Sequence, residues 1–346
     1  MRLRVGLFCA IVAVWAGGSQ APAQTALTDA NHPAPAPMTF HVTVTDKAGN
    51  PVNGLRASDF TLLDDEHPVT IQSVAAQQTT PPLVVLVVDE VNEPFRALSI
   101  EQKQIEAFLT QNQGHLPFPV SLIFLTDSGM QQIKPSTDGT ALSALLAKHR
   151  ADLRVISGNH SLYNDEALFQ TSMRALETIL DYEAGYPGRK LLIWVSQGWP
   201  TLDLPDVMLS VKEQSDIFGM IVTASNLLRF TSTTIYSVDP EGNYDVGNLH
   251  NVEWENFRKP VSRFNQAQYG DLAVQVLAEH SGGLVRMGGN AVAQEVSRCA
   301  QDASGGYDLT FQPQASDKPN TWHALRVKVG KGGTTVRALN GYFAQP

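Results

Sequence analysis

Residues 83–88, Leu-Val-Val-Leu-Val-Val, set six aliphatic side chains in a row, and Asp89, Glu90, Asn92 and Glu93 follow at once. The run lacks alternation, so a strand built from it has no polar face to offer water. Such a strand is buried on both sides, as in a parallel sheet walled by helices. The acidic cluster then falls just past the strand's carboxyl end. In open α/β sheets that edge is where ligands bind.

The rest of the chain repeats the pattern. Further strands are expected at Val120–Thr126, Lys190–Ser196, Thr233–Val238 and Leu284–Met287. Between them, Phe169, Met173, Leu176 and Leu180 share one helical face, as do Ile217, Met220, Ile221, Ala224, Leu227 and Leu228. Ile105, Phe108 and Leu109 mark a shorter one. Thr126-Asp-Ser-Gly129 before Met130–Ile133 reads as a hairpin to an antiparallel edge strand. Strand–helix alternation of this kind predicts an α/β fold with a doubly wound, mostly parallel sheet.

Both ends have β rhythm instead. Phe40–Thr45, Asp59–Leu63 and Val69–Val74 are short strand signals, the last two separated by the acidic turn Asp64-Asp65-Glu66. Tyr307–Phe311, Trp322–Val329 and Thr335–Phe343 are their counterparts at the other end. Three short strands do not stand alone without a packing partner. The two ends are therefore expected to pair into one small β-sandwich-like module flanking the α/β domain. The expected division is an export leader at 1–23, a Pro/Ala linker at 24–37, a β segment at 38–78, the α/β domain at 82–303 and a second β segment at 304–346.

The leader reading rests on Arg2 and Arg4, the apolar stretch Val5–Ala16 and the small-residue site Ala21-Pro-Ala23. Its apolar core is short for a bilayer span, and no later segment is long enough. Cleavage would move the formal net charge from −9 to −11, which disfavours nucleic acid as a partner. The exported chain, periplasmic or secreted, would keep one cysteine, Cys299, in the apolar pattern Val292, Val296, Cys299, Ala300. That is a buried helix position, not a reactive thiol.

Polar residues collect at the predicted carboxyl edge: Asp89, Glu90, Asn92, Glu93, Thr126, Asp127, Ser196, Gln197 and Asp239, with Ser161, Asn164 and Asp165 before the next helix. Oxygen groups gathered at one edge suit a hard cation such as Mg²⁺ or Ca²⁺. Equally, Asp89 and Asn92 suit the capping of the following turn, with Glu93 in solvent. The long polar stretch Asp239–Tyr269, with Tyr244, Trp254, Phe257 and Phe264, leaves the sheet at this edge. It is read either as the site's rim or as a surface insertion whose aromatics pack down. No nucleophile elbow, phosphate loop, zinc-protease motif or dinucleotide fingerprint is present, so no enzyme is expected and no catalytic or cofactor-binding residue is assigned.

Several segments together resemble a known family. Asp46-Lys-Ala-Gly-Asn-Pro-Val-Asn-Gly-Leu55 with Asp59-Phe60, Pro187–Ser196, Ile235-Tyr-Ser-Val-Asp-Pro240, Leu277–Gly283 and Tyr307–Phe311 are similar, in this order, to the secreted acidobacterial-type VWFA-related proteins. The resemblance spans residues 38–345. It implies a von Willebrand factor A (VWA, integrin I-like, Rossmann-like) fold and contact with a protein ligand or cell-envelope component through a bound divalent cation. The family's cation loop is Asp-x-Ser-x-Ser. Here Asp89 matches the aspartate, Val91 stands at the first serine and Glu93 at the second. Ser196 or Gln197 stands where a later aspartate belongs. The metal set carried over is Asp89, Asn92, Glu93, Ser161 and Ser196. The alternatives are a hydrolase using the acidic cluster, or a scaffold whose site is vestigial.

Overall fold

The computed structural model describes residues 35–345, apart from 77–79, 94, 153–161, 201, 203–207, 241–253 and 317. The leader, most of the linker, Ser161 and Tyr244 lie outside the described residues. Strands β1 (Met38–Asp46), β2 (Phe60–Asp64), β3 (His67–Val69) and β4 (Ile71–Ala76) come first. The α/β region follows: β5 (Leu83–Asp89), α1 (Phe95–Leu109), β6 (His115–Thr126), β7 (Gly129–Asp138), α2 (Gly139–Asp152), α3 (Leu162–Glu183), β8 (Lys190–Val195), α4 (Val211–Phe230), β9 (Thr233–Asp239), α5 (Val274–His280), β10 (Val285–Met287) and α6 (Val292–Gln301). The chain ends with β11 (Tyr307–Phe311), β12 (Thr321–Val329), β13 (Thr334–Ala338) and β14 (Gly341–Ala344).

The fold is mixed α/β. Its six-stranded sheet has the order β10-β9-β8-β5-β6-β7, parallel except for the hairpin strand β7. Every residue of β5 is buried. Val85 and Val87 face one core with α3, α4 and α5 (Leu176, Ile221, Leu277). Val84, Leu86 and Val88 face a second core with α1 and α6 (Ile105, Val296, Cys299). The two-residue period of the strand thus sends alternate side chains into opposite helical layers, each aliphatic group gaining about 1.5–3 kcal/mol from burial. From β5 the chain steps outward to β6 and β7, then returns to the other side of β5 with β8. That reversal, between β5 and β8, is the switch point of the sheet.

Strands from the two ends of the chain pair directly. β1 lies between β11 and β13, and β12 pairs with β2. The resulting four-stranded antiparallel sheets, β13-β1-β11-β4 and β14-β12-β2-β3, share one core that includes Phe40, Val44, Leu62, Phe311 and Leu325. The tight turn at Asp65 and Glu66 has φ of 47° and 64°, the left-handed pair a two-residue hairpin requires. Tyr307 donates from its hydroxyl to the Val52 carbonyl at 2.8 Å and accepts from Leu55 N at 3.0 Å, which holds the loop after β1 against β11.

Three readings change. The single strand expected at Val69–Val74 is divided at Thr70 between β3 and β4, which lie in different sheets. Residues 335–343 form two strands in different sheets, β13 and β14, with the break at Leu339-Asn340. Helix α2 was not anticipated. Among the described residues no helix is long and apolar enough to cross a membrane.

A buried polar joint ties the β strands to the α/β sheet. Arg189, just before β8, donates to the Asp302 carbonyl at 2.7 Å and to the Tyr236 hydroxyl at 3.2 Å. Tyr236 donates to Asp302 Oδ2 at 2.8 Å, and Arg337 of β13 grips the same carboxylate at 2.7 and 2.8 Å. Removing one member strands the others without water. Asp302→Ala is therefore expected to cost about 3–5 kcal/mol in urea unfolding. A loss below about 1 kcal/mol, the range of exposed ion pairs, would sink this account.

Candidate functional site

The switch point brings the acidic loop after β5 against the loop after β8. Asp89, Asn92 and Glu93 are 0, 5 and 8% exposed, and Ser196 and Gln197 are 0%. The sequence placed these residues on a ligand-facing rim. The structure instead closes them inside, because α1, α3 and the β8 loop pack over the strand ends.

The Asp89 carboxylate is fully engaged. Oδ1 accepts from the backbone N–H of Val91 and Asn92, each at 3.1 Å. Oδ2 accepts from the Asn92 side-chain amide at 2.7 Å and the Trp194 indole N–H at 2.8 Å. The first pair is a turn cap of the kind short carboxylates make. In the second pair the indole comes from a strand residue that needs an acceptor because it has no water. Asn92 passes its other amide hydrogen to Ser172 Oγ on α3 at 2.9 Å. Glu93 reaches across the switch point, where its Oε1 accepts from Gln197 N. Gln275 of α5 donates to the Gln197 carbonyl at 3.0 Å. Gly198 has φ 113°, and a Cβ there would meet Gln275 at 2.4 Å, so this turn needs glycine. Trp199 then packs edge-on to Trp194, ring centroids 5.0 Å apart. The result is a hydrogen-bonded clasp over an aromatic pair.

Tested as a cation site, the Asp89 carboxylate does not fit, and the one buried oxygen of Asn92 without a hydrogen-bond partner, Oδ1, is a single ligand atom. A hard cation takes six or more oxygen ligands with free lone pairs. Both Asp89 oxygens already accept two donors each. Asn92 turns amide hydrogens, not oxygen, toward Asp89, and Ser196 Oγ accepts from Gly198 N at 3.2 Å. Ser161 lies outside the described residues. Of the other predicted edge residues, Thr126 serves its hairpin, donating to the Gly129 carbonyl at 2.9 Å, and Asp127 is exposed there. Glu90 turns away to His149 Nε2 at 2.9 Å and to Gln102 at 3.2 Å. Asp165 and Asp239 are buried.

Of the insertion, 241–253 lies outside the described residues. Its described part, 254–269, runs along the α3, α4 and α5 face. Phe257 lies against Gly270, Tyr269 meets Phe169 edge-on at 5.5 Å, and Arg258 pairs with Glu279 at 2.7 Å. Phe264 is exposed. Val261 reaches a cavity of about 100 Å³ at the opposite, amino edge of the sheet, beside Arg189, Leu228 and Phe343.

Two participants were missed. Trp194 reads as core, yet an indole N–H in a strand without water demands a partner, and that demand was the available signal. Glu101 sits at helical spacing with Ile105 and Phe108, a charged residue on an apolar face. It is 0% exposed, and neither carboxyl oxygen has a hydrogen-bond partner. Burial pushes its pKa well above the ordinary 4.5, and the nearby Glu93, Asp89 and Glu90 push it further. Burial also raises Asp89, against the pull of its four donors. Glu101 therefore contributes stability as the protonated acid, present below the ordinary carboxyl range and lost as pH rises through its raised value. Glu101→Gln is expected to melt above the wild type, by a margin that grows as pH increases from about 5 to 8. A margin that stays flat or shrinks in thermal melts over that range refutes the buried neutral acid.

No protein-family model matches the chain, and no curated protein matches it. Among solved structures, the chain is similar to an aerotolerance-related membrane protein from Bacteroides fragilis at 9% identity, over 64% of this chain and 97% of that one, with a TM-score of 0.34. It is similar to the pilus adhesin SpaC from Lactobacillus rhamnosus GG at 10% identity, over 92% of this chain and 51% of that one, with a TM-score of 0.38. A third, proximal thread matrix protein 1 from the mussel byssus, is 10% identical over 68% of this chain and 49% of that one, with a TM-score of 0.33. The chain thus spans about half the length of the latter two.

Proposed function

We propose that this chain is an exported VWA-like binding domain that docks a protein or cell-envelope ligand at the carboxyl edge of its six-stranded sheet, with no resident cation in the Asp89 loop. The observation that carries the reading is the switch point between β5 and β8. In open sheets ligands meet the loops at that position; here the clasp closes the crevice itself, so contact falls on the surface beyond it. The segment resemblance supports a VWA-like fold, and the antiparallel strand β7 at the sheet's edge is in keeping with it.

In this reading the clasp is a support and the ligand meets residues beyond it. After β8 the chain runs to Ser210, which caps α4 by accepting from Glu213 N at 3.2 Å. Met208 is 94% exposed and Val211 70% exposed on this stretch. Exposed apolar side chains at a ligand edge supply contact area that surrounding polar groups do not. Asp89, Glu93 and Gln197 hold the base of that stretch in place. An enzymatic use of the carboxylates would need substrate to reach them, and Asp89 and Glu101 are both 0% exposed. The cavity described above opens at the other end of the strands.

The test is co-sedimentation of residues 24–346 with envelope fractions of the source cells, with and without EDTA. Retention by the wild type, unchanged by EDTA and lost in Met208→Asp/Val211→Asp, is expected. Absence of retention, or equal retention of the double variant, refutes the edge as the contact. Release by EDTA restores a cation to the site and refutes the cation-free reading.

A further inference from the structure

Far from the switch point, the β2–β3 turn meets strand β12 at three side chains whose ligand atoms lie within 4.8 Å of one another: Asp64, Asp65 and His323. His323 Nδ1 is 3.2 Å from Asp64 Oδ1 and 3.1 Å from Asp65 Oδ2. The second oxygen of each carboxylate is held elsewhere. Asp64 Oδ2 accepts from the Tyr342 hydroxyl at 2.9 Å, and Asp65 Oδ1 accepts from Ala324 N at 2.9 Å. Asp65 N in turn donates to the Ala324 carbonyl at 2.9 Å, which fixes the turn against β12. The imidazole is clamped flat on the Tyr342 ring, centroids 5.1 Å apart and 14° between planes.

This arrangement has one hydrogen for three heteroatoms. Both carboxylates accept only, so the proton between them is the one on Nδ1, and it is split between two oxygens at distances longer than a good charged hydrogen bond. A tetrahedral zinc ion with bonds of about 2.0–2.2 Å sets its nitrogen and oxygen ligands about 3.4 Å apart. The observed 3.1 and 3.2 Å are near that edge. One imidazole with two carboxylates is a donor set suited to zinc. The outer contacts are also of the kind a metal site needs: Tyr342 orients the Asp64 carboxylate and, by stacking, the imidazole. Asp64 and His323 are buried, while the Asp65 side chain is 47% exposed, which leaves a solvent path and a fourth position for water.

We propose that Asp64, Asp65 and His323 bind a divalent transition metal, zinc in the first instance, which staples the β2–β3 turn to β12. On binding, the neutral imidazole moves its one hydrogen from Nδ1 to Nε2, and the Nδ1 lone pair goes to the metal. The staple joins the amino-terminal and carboxyl-terminal strands in a protein whose one described cysteine, Cys299, is free and buried.

The experiment is calorimetric titration of the untagged, chelator-stripped chain with Zn²⁺, and with Co²⁺ followed by absorption. One equivalent should bind, raise the melting temperature and give a tetrahedral Co²⁺ spectrum. Asp65→Asn, at the exposed ligand, should weaken binding more than about 100-fold and remove the thermal shift, and Tyr342→Phe should weaken it about 10–100-fold. Asp127→Asn, at the exposed β6–β7 hairpin, should bind as the wild type does. Asp65→Asn keeps the buried pair intact, so it reports on binding even where His323→Gln fails to fold. No saturable binding by the wild type, or binding that survives Asp65→Asn, overturns the proposal.

Discussion

A strand denied water on both faces is the constraint from which the rest of this molecule follows. Because β5 offers aliphatic side chains in both directions, two helical layers must cover it, and its neighbours must lie parallel or hide an edge. Its end then emerges between those layers at the switch point. Asp89 is buried there by the same packing that buries Val84–Val88, and its charge is tolerated because four donors converge on it. Burial makes the carboxylate costly, and the turn and the Trp194 indole offset that cost.

The same logic recurs wherever two parts of the chain meet. Asp302 with Arg189, Tyr236 and Arg337 seals the joint between the helical layer and the β strands. Asp64 with His323 and Tyr342 seals the β strands of opposite ends. A buried polar group tolerates few arrangements, because moving any partner leaves an unsatisfied donor or acceptor. These contacts add little net stability over apolar packing, but they penalise every misregistered alternative.

Much of the fold was legible from local pattern. The parallel strands, the hairpin at Thr126–Gly129 and the faces of α3 and α4 all announce themselves by period, because core contact repeats with the element's own geometry. Helix α2 did not, since Leu142, Leu145 and Leu146 are few and separated from the strands by the β7 hairpin. Nor did the division of 335–343 into β13 and β14. Tyr342, Phe343 and Ala344 are buried like Val336's neighbours in the core, and local alternation cannot say which of two sheets a strand joins. At the site, sequence located the loop but not its burial. Exposure of Asp89 depends on Trp194, Ser172 and Gln197, which lie about a hundred residues away and arrive only with the tertiary structure.

The pairing of β1 with β11 and of β2 with β12 has a temporal meaning. Phe40 lies opposite Leu309 and Leu62 opposite Val327, so these ladders close loops that span most of the chain. Loop closure of that length gives no contact energy until its last strand arrives. The six-stranded sheet, whose partners are close in sequence, can assemble while the first strands are still waiting. During that interval β1 and β2 each carry an edge that pairs only when residues beyond 306 arrive, and an unpaired edge is a template for wrong pairing.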